Sequence, residues 1–396
     1  MLIISFDAVG DDEYDRLLEY PAFSAFAKQA AVYRDIPALF VSNTYPTHTS
    51  VATGVLPDVH GLISNTEPFP AKYPVWNSRE SMIRVKTLWQ AAAEHGIKTA
   101  AVLWPVTAYS KSIRYNIPEV LPRPGENQVI TSMKAGSKLL QAVMYLRYRK
   151  LLSGLKQPAL DNFSTSCMAD ILRKRKPGLA LIHLTAYDTL CHEHGKGSGE
   201  LVEAVESLDR NLAILLKAAG DDRDVLIFTD HSQLNKHTSL ELNSILVEEG
   251  LMHRENDAWI AGESGCFIEC CGGSAFFHAG KLPENRVDEL RGVIERSEGF
   301  GRFLTGGEMQ SSGYKNAAFG FCALRGYSYL AFGPGHKAEH GYTPDMPDYK
   351  VFYMTKGFGL PPGYPAQEGS LLDIAPLVSK RLGLDMRHLR TAANNE

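Results

Sequence analysis

The sequence predicts an α/β protein with a mainly parallel central sheet and helices on both faces. Short apolar runs, which are typical of buried strands, alternate along the chain with stretches of helical apolar spacing. Such alternation favours strand–helix–strand units with parallel strands. The runs are Leu2–Phe6, Thr99–Leu103, Leu179–Leu184, Val225–Thr229 and Tyr329–Phe332.

Two later segments have the spacing of amphipathic helices. From Leu201 to Leu216 an apolar residue recurs every three or four positions, and Gly220 is placed to end the helix. The other helix is predicted near Leu371–Leu382, with Gly383 after it. Its apolar face is expected to pack in the core.

Two segments interrupt this alternation. The first, about 105–157, is rich in Tyr, Lys, Arg and Pro; the second, about 232–325, contains Gly and Cys. We interpret both as insertions that form a lid or cap over the active site of a single domain spanning 1–396. The Leu139–Leu155 stretch interleaves Tyr and Arg like a membrane-surface helix, but we favour a lid helix with a solvated basic face.

The composition is ordinary for a soluble globular protein of 396 residues, with 44% hydrophobic and 22% charged residues. The formal net charge of −4 argues against a nucleic-acid polymer as partner. No apolar run approaches 18 residues, so no membrane span is expected. The chain opens on a strand-like run, which predicts a cytoplasmic protein, and its six cysteines lack a Cys-x-x-Cys pair, which predicts reduced thiols. Its oligomeric state stays open.

Seven side chains of the types found at metal sites lie at or just beyond the ends of strand-like runs. In an open α/β sheet these ends face the crevice where ligands bind. Two groups of nitrogen and oxygen donors without a thiolate suit zinc first and manganese second. Together with one hydroxyl nucleophile they predict two-metal phosphoryl transfer. The seven are Asp7, Thr44, Asp188, His192, Asp230, His231 and His340.

A nucleophile motif lies between Asn43 and Asn65. The chain reads Thr44-Tyr45-Pro46-Thr47-His48, then Thr53-Gly54, His60-Gly61 and Asn65. This order resembles the Thr-Phe-Pro-Asn-His, Thr-Gly, His-Gly and Asn pattern of the nucleotide pyrophosphatase/phosphodiesterases, a family of the alkaline phosphatase superfamily. The resemblance implies Thr44 as the nucleophile and Asn65 as the hydrogen-bond donor to the transferring phosphoryl group.

Later motifs follow in the family's order: Asp188 and His192 in an Asp-x-x-x-His element, Thr229-Asp230-His231, and His340-Gly341-Tyr342. The resemblance implies one metal ion on Asp188, His192 and His340. It implies a second ion on Asp7, Asp230 and His231, with the Thr44 oxygen close to it. It also implies an alkaline-phosphatase-like three-layer α/β/α sandwich.

The reaction implied is hydrolysis of phosphodiester or pyrophosphate bonds in a small nucleotide-like substrate, through a phospho-Thr44 intermediate. Diester cleavage is favoured over monoester cleavage because the oxyanion partner is Asn65 and no phosphate-clamping Arg is identified. Tyr45 stands where the family has Phe and could stack on a leaving group or pack in the core. Ala186-Tyr187 replaces the family's Glu-Pro before Asp188. These departures leave the substrate open among nucleotides, dinucleotides and phospholipid head-group diesters.

Two other readings stay open. The same site could hydrolyse phosphonoacetate or a phosphomonoester. Alternatively, the protein could be a non-catalytic, metal-binding pseudoenzyme. A dinucleotide-dependent dehydrogenase is disfavoured because Ser5–Asp12, after the first strand, contains no Gly-x-Gly-x-x-Gly.

Overall fold

A seven-stranded sheet runs through the centre of the molecule in the computed structural model. The structure describes residues 1–67, 75–255, 258–330, 335–363 and 369–392. The strands of the described residues are, in chain order, β1 (Leu2–Phe6), β2 (Ala31–Pro37), β3 (Thr99–Val102), β4 (Tyr115–Ile117), β5 (Leu179–Leu184), β6 (Val225–Thr229), β7 (Leu234–Asn235), β8 (Thr238–Leu240), β9 (Met252–Glu255), β10 (Ala258–Ala261), β11 (Phe267–Cys270), β12 (Ser274–His278), β13 (Phe300–Phe303), β14 (Phe319–Ala323), β15 (Tyr327–Tyr329), β16 (Ala338–Glu339) and β17 (Lys350–Lys356).

Helices connect most of these strands. In chain order they are α1 (Tyr14–Leu17), α2 (Pro21–Ala27), α3 (Thr44–Thr53), α4 (Pro57–His60), α5 (Leu88–Glu94), α6 (Gln128–Ala135), α7 (Lys138–Tyr148), α8 (Ala159–Arg175), α9 (Ala186–His194), α10 (Glu200–Ala219), α11 (Asn243–Glu248), α12 (Glu284–Glu295), α13 (Gly306–Ser312), α14 (Ile374–Leu382) and α15 (Arg387–Ala392). The predicted helix near 201–216 is α10, and Gly220 follows it with a φ of 76°.

The central sheet has the strand order β2-β17-β6-β1-β5-β3-β4. The pairs from β6 to β4 are parallel, and β17 is antiparallel to both of its neighbours. Phe6 at the end of β1 is aligned with Leu184 of β5 and Thr229 of β6. The residues that follow these three strands therefore meet at one edge of the sheet.

Two apolar cores cover the two faces of the sheet. Alternate residues of β1 point to opposite faces, so that Ile3 packs with α3, α5 and α14 while Ile4 packs with α2, α8 and α10. The result is a three-layer α/β/α sandwich. The mainly parallel sheet and its two helical layers confirm the predicted fold class.

The sequence prediction misplaced one strand of this sheet. The run Tyr329–Phe332 was expected to join the central sheet, but β15 pairs with β8 in a two-stranded sheet, and residues 331–332 lie outside the described residues. The place in the central sheet belongs to β17, whose residues Val351–Thr355 are all buried. A strand of the central sheet is buried on both of its faces, and a single apolar run in the sequence does not reveal this. This burial distinguishes β17 from β15.

The two interrupting segments fold differently. The first contains β4, α6 and α7 and presents exposed apolar side chains, including Leu139 and Leu146. The second forms an antiparallel sheet of order β11-β12-β14-β13 with an aromatic core. The division into one domain with two caps stays a prediction.

Candidate metal centre and active site

Most of the predicted ligands lie at the carboxyl-end edge of the sheet. Asp7 directly follows β1, and Asp230 and His231 directly follow β6. Strand β5 leads into α9, which carries Asp188 in its first turn and His192 one turn later. Strand order and register therefore bring these five residues together from three distant parts of the chain.

Asp161 of α8 holds the start of α9. Its Oδ1 accepts the Thr185 N–H at 3.1 Å and its Oδ2 accepts the Ala186 N–H at 2.8 Å. These are backbone donors that a helix N-terminus leaves without partners. Burial raises the pKa of Asp161 to about 6. The orientation of Asp188 and His192 thus depends on a carboxylate that sequence reasoning did not single out.

One group of ligand atoms surrounds His231. Its Nε2 lies 3.4 Å from Asp7 Oδ1 and 3.4 Å from Asp230 Oδ2, and the Thr44 hydroxyl donates to it at 3.2 Å. The other Asp230 oxygen, Oδ1, accepts the Ala8 and His231 backbone N–H groups. The predicted nucleophile and the predicted second ligand set are therefore in direct contact.

A second group adjoins the first. His192 Nε2 lies 3.3 Å from Asp188 Oδ1, and the ligand atoms of Asp188, His231 and His340 lie within 4.8 Å of one another. Glu339 also lies within 4.8 Å of His192 and His340. Glu339, which the sequence analysis did not name, is thus a candidate ligand or neighbour of this group. We call Asp7, Asp188, His192, Asp230, His231 and His340 the candidate metal centre, shortened below to the metal centre.

The three histidines present the same ring nitrogen to the centre. Nδ1–H of His192 donates to the Ala338 carbonyl at 2.9 Å, and Nδ1–H of His340 donates to Asn43 Oδ1 at 2.9 Å. Nδ1–H of His231 donates to the carbonyl of the next residue at 3.3 Å. Partners of this kind orient metal-binding imidazoles and leave Nε2 free to ligate. Burial lowers the pKa of His231 to about 4 and that of His340 to about 3.

Three carboxylates lie together in this centre: Asp7 and Asp230 are buried and Asp188 is half-buried. Burial, followed by repulsion from Asp188 and Asp230, raises the pKa of Asp7 well above its usual value, and burial raises that of Asp230 to about 6. Within the described residues, Asp7 Oδ1 and Asp230 Oδ2 are buried without a hydrogen-bond partner. Unpaired buried carboxylate oxygens beside free imidazole nitrogens fit divalent cations, which supply the missing positive charge. The donor set, with nitrogen and oxygen but no sulfur, fits zinc or manganese.

Thr44 occupies the first turn of α3, whose N-cap residue is Asn43. A helix N-terminus carries partial positive charge and free N–H groups, which favour a bound anion. Asn65 is held beside Thr44 because its Oδ1 accepts the Tyr45 N–H at 2.8 Å. The buried Tyr45 ring packs edge to face on Trp76, with centroids 5.7 Å apart. The structure thus brings Thr44, Tyr45 and Asn65 together next to the metal centre.

Behind Asp7 lies a buried histidine that the sequence analysis did not name as a site residue. His183 of β5 is fully buried, and its Nε2 is 3.1 Å from Asp7 Oδ2. Its Nδ1 lies 3.6 Å from Glu119 Oε2. His183 therefore lies between a predicted metal ligand and a carboxylate of the first interrupting segment. The sequence signal for this role is weak: a histidine one position before the end of a strand that neighbours β1.

A cavity of about 1050 Å³ opens from the metal centre. Asp7, Thr44, Asn65, Asp188 and His340 lie at its polar end. The remainder includes a surface that we call the apolar wall, formed by Ile117, Val120, Met133, Ala142, Leu152 and Phe163. The first interrupting segment contributes most of this wall, and no described residue of the second segment lines the cavity.

Comparison with known proteins identifies the family. Residues 1–300 match the family model of the type I phosphodiesterases/nucleotide pyrophosphatases. The chain belongs to this family. The predicted family resemblance is therefore confirmed, whereas the role of each site residue stays a prediction.

Curated relatives are distant and longer. Venom phosphodiesterase 2 of Crotalus adamanteus is 20% identical over 192 residues, which is 46% of this chain and 19% of that protein. Family member 1 of the ectonucleotide pyrophosphatase/phosphodiesterases of Mus musculus is 22% identical over 222 residues, 53% of this chain and 21% of that protein. Human bis(5'-adenosyl)-triphosphatase ENPP4 is 26% identical over 117 residues, 27% of this chain and 25% of that protein. The matched part spans a quarter or less of each relative.

Solved structures share the fold over nearly the whole chain. Murine ectonucleotide pyrophosphatase/phosphodiesterase 5, in an inactive form with AMP, superimposes with a TM-score of 0.69 at 15% identity, covering 98% of this chain and 95% of that chain. Phosphonoacetate hydrolase of Sinorhizobium meliloti, with phosphonoacetate, gives a TM-score of 0.67 at 16% identity, covering 96% and 95%. In the part of the chain that the structure describes, no helix is long and apolar enough to cross a membrane.

Proposed function

We propose that the protein is a two-metal hydrolase of phosphodiester or pyrophosphate bonds that uses Thr44 as its nucleophile. The observation that carries this proposal is a cluster of three carboxylates and three imidazoles at one edge of the sheet, in which His231 Nε2 contacts the Thr44 hydroxyl at a helix N-terminus. Asp188, His192 and His340 would hold one divalent ion, and Asp7, Asp230 and His231 the other, with zinc preferred over manganese. When bound, the two ions would supply Lewis acidity to the phosphoryl oxygens and the Thr44 hydroxyl.

The residues themselves have distinct tasks in this proposal. Thr44 Oγ attacks phosphorus in line and expels the ester leaving group, which gives a phospho-threonine that water then hydrolyses. Because the Asn65 side-chain oxygen is already bonded to the Tyr45 N–H, its NH₂ group is the donor available to an equatorial phosphoryl oxygen. The first turn of α3 favours the negative charge that develops there.

The rival reactions fit less well. The phosphonoacetate hydrolase shares the fold, but a cavity of about 1050 Å³ with an apolar wall is large for a two-carbon phosphonate. A diester with a sizeable second ester group would use that space. A small phosphodiester or nucleotide is the substrate class predicted from the sequence, and AMP in the murine neighbour is compatible with it. The cytoplasmic location and the exclusion of nucleic-acid polymers stay predictions.

Hydrolysis of bis-p-nitrophenyl phosphate and p-nitrophenyl phosphate tests the reaction class. The assay uses purified protein with zinc, with manganese and with a chelator, alongside Thr44→Ala and Thr44→Ser. We expect metal-dependent diester cleavage that Thr44→Ala reduces at least about 10³-fold, as for other nucleophile deletions, and that Thr44→Ser partly keeps. A preference for the monoester would indicate a phosphatase. Bound metal without turnover would indicate a pseudoenzyme.

A further inference from the structure

The side chain of Asn43 does not cap the helix that it precedes. Asn43 is buried at the N-cap position of α3, but its side chain makes no hydrogen bond to the first turn of that helix. In contrast, Asn127 precedes α6 and its Oδ1 accepts the Val129 and Ile130 N–H groups at 3.0 and 3.2 Å. The two asparagines therefore have the same position relative to a helix but different partners.

The first turn of α3 explains this difference. An N-cap side chain normally accepts the N–H of the second or third helical residue. In α3 the second residue, Tyr45, already donates its N–H to Asn65 Oδ1 at 2.8 Å, and the third, Pro46, has no N–H. Capping therefore does not account for an asparagine at position 43, and its side chain can bond elsewhere.

The partner of Asn43 is a residue of the metal centre. His340, which is 297 positions away in the chain, donates its Nδ1–H to Asn43 Oδ1 at 2.9 Å. His192 and His231 donate their Nδ1–H groups to backbone carbonyls instead. Of these three histidines, His340 is thus the one that a side chain orients, and a substitution can remove that side chain.

Close packing surrounds this hydrogen bond. Gly341, which follows His340, has a φ of 80°, and a Cβ at this position would lie 3.2 Å from Asn43 Oδ1. The hydroxyl of Thr44, the residue after Asn43, lies 3.2 Å from His231 Nε2. Two successive residues therefore contact one histidine from each of the two proposed ligand sets.

We propose that Asn43 is a positioning residue that orients His340 as a ligand of one of the two ions. This inference rests on the proposed function and adds a residue to its site. An amide oxygen only accepts hydrogen bonds, so it keeps the proton of His340 on Nδ1 and leaves the Nε2 lone pair for the ion. The competing role for Asn43 is a structural link between two distant segments of the chain.

Ser42 offers a matched control for that structural role. Its buried hydroxyl donates to the Tyr342 carbonyl at 2.9 Å and lies 2.8 Å from the Tyr349 hydroxyl. Ser42 therefore links the same two segments as Asn43, through atoms outside the metal centre. Ser42→Ala removes a link between the segments and leaves the partner of His340 in place.

Competition with a chromogenic chelator measures the zinc affinity of each variant. Serine is as good an N-cap residue as asparagine but too short to reach His340, so we expect Asn43→Ser to bind one zinc ion about 10- to 100-fold more weakly. Asn43→Asp keeps an acceptor of the same reach and should retain most of the affinity, and Ser42→Ala should leave both affinities unchanged. An unchanged affinity in Asn43→Ser, or an equal loss in Asn43→Ser and either other variant, would overturn the proposal.

Nuclear magnetic resonance of protein with isotope-labelled histidine reads the orientation of His340 itself. In excess zinc, the Nδ1–H of His340 should give an exchange-protected signal, identified by its absence in His340→Gln. We expect this signal to be lost in Asn43→Ser and kept in Asn43→Asp and Ser42→Ala. Its survival in Asn43→Ser would reject the positioning role.

Both measurements are independent of turnover. Two bound zinc ions without hydrolysis of any diester would reject the proposed reaction, and the expected pattern among the variants would still support the role of Asn43. Conversely, hydrolysis by the wild type with no difference in zinc affinity between Asn43→Ser and Ser42→Ala would reject the role of Asn43 alone.

Discussion

The two ends of the active-site cavity differ in chemistry and in origin. The metal centre is assembled mostly from short motifs that follow strands of the central sheet, and its polar residues are buried or half-buried. The apolar wall comes mainly from one segment that interrupts the sheet. The edge of the sheet holds the residues of the metal centre in place, whereas the interrupting segment can vary without moving them. We therefore expect the reaction type and the substrate choice to depend on different parts of the chain.

The largest effect on activity is expected from a substitution at the polar end of the cavity. Asn65→Ala should lower kcat for bis-p-nitrophenyl phosphate by about 10²- to 10³-fold, because it removes one donor to the developing oxyanion. The ratio of kcat/KM for bis-p-nitrophenyl phosphate to kcat/KM for methyl p-nitrophenyl phosphate should stay the same. Steady-state kinetics with these two diesters measures both quantities. A changed ratio would show that the two ends of the cavity are not independent.

A smaller effect is expected from substitutions of His183, which lies behind the metal centre. His183→Leu removes the group 3.1 Å from Asp7 Oδ2, and loss of such a partner typically costs about 10- to 100-fold in metal affinity. His183→Gln keeps an amide donor and should retain more affinity. Competition with a chromogenic chelator measures the affinity of each variant. Equal losses in the two variants, or none in either, would show that His183 only fills space.

The second interrupting segment provides the third test. The Gly273 N–H donates to the His340 carbonyl at 2.8 Å, and a Cβ at Gly273 would lie 2.3 Å from the Tyr342 ring. Gly273→Ala should therefore destabilise the fold by about 1–3 kcal/mol and weaken metal binding through His340. Gly306 has open space around it, and Gly306→Ala should change stability little.

Urea unfolding and metal titration of the two glycine variants check this prediction. The ratio of kcat/KM between the two diesters should again stay constant, because no described residue of the second segment lines the cavity. A shift of that ratio in Gly273→Ala would show that this segment takes part in substrate selection. The two ends of the cavity would then not be independent of each other.

Local motifs made much of the site predictable. Each of Asp7, Asp188, Asp230 and His231 follows a strand-like run, and parallel strands place such residues at one edge. The strands β1, β5 and β6 begin and end where the apolar runs do. Asp161, His183 and Glu339 were not predicted as site residues, because their partners are remote in sequence and no local pattern marks them.

By itself, the sequence determined the family and the α/β fold class, and it predicted which residues the metal centre would contain. Ordered motifs and apolar periodicity are local signals, which can be recognised in the sequence without knowledge of how the chain packs. Only the tertiary structure decided that β17 rather than β15 completes the sheet, and that one interrupting segment lines the cavity. Both the choice of strand and the choice of segment depend on which apolar surfaces pack against each other and remove one another from water. Burial of this kind is a property of the whole fold and not of any single segment.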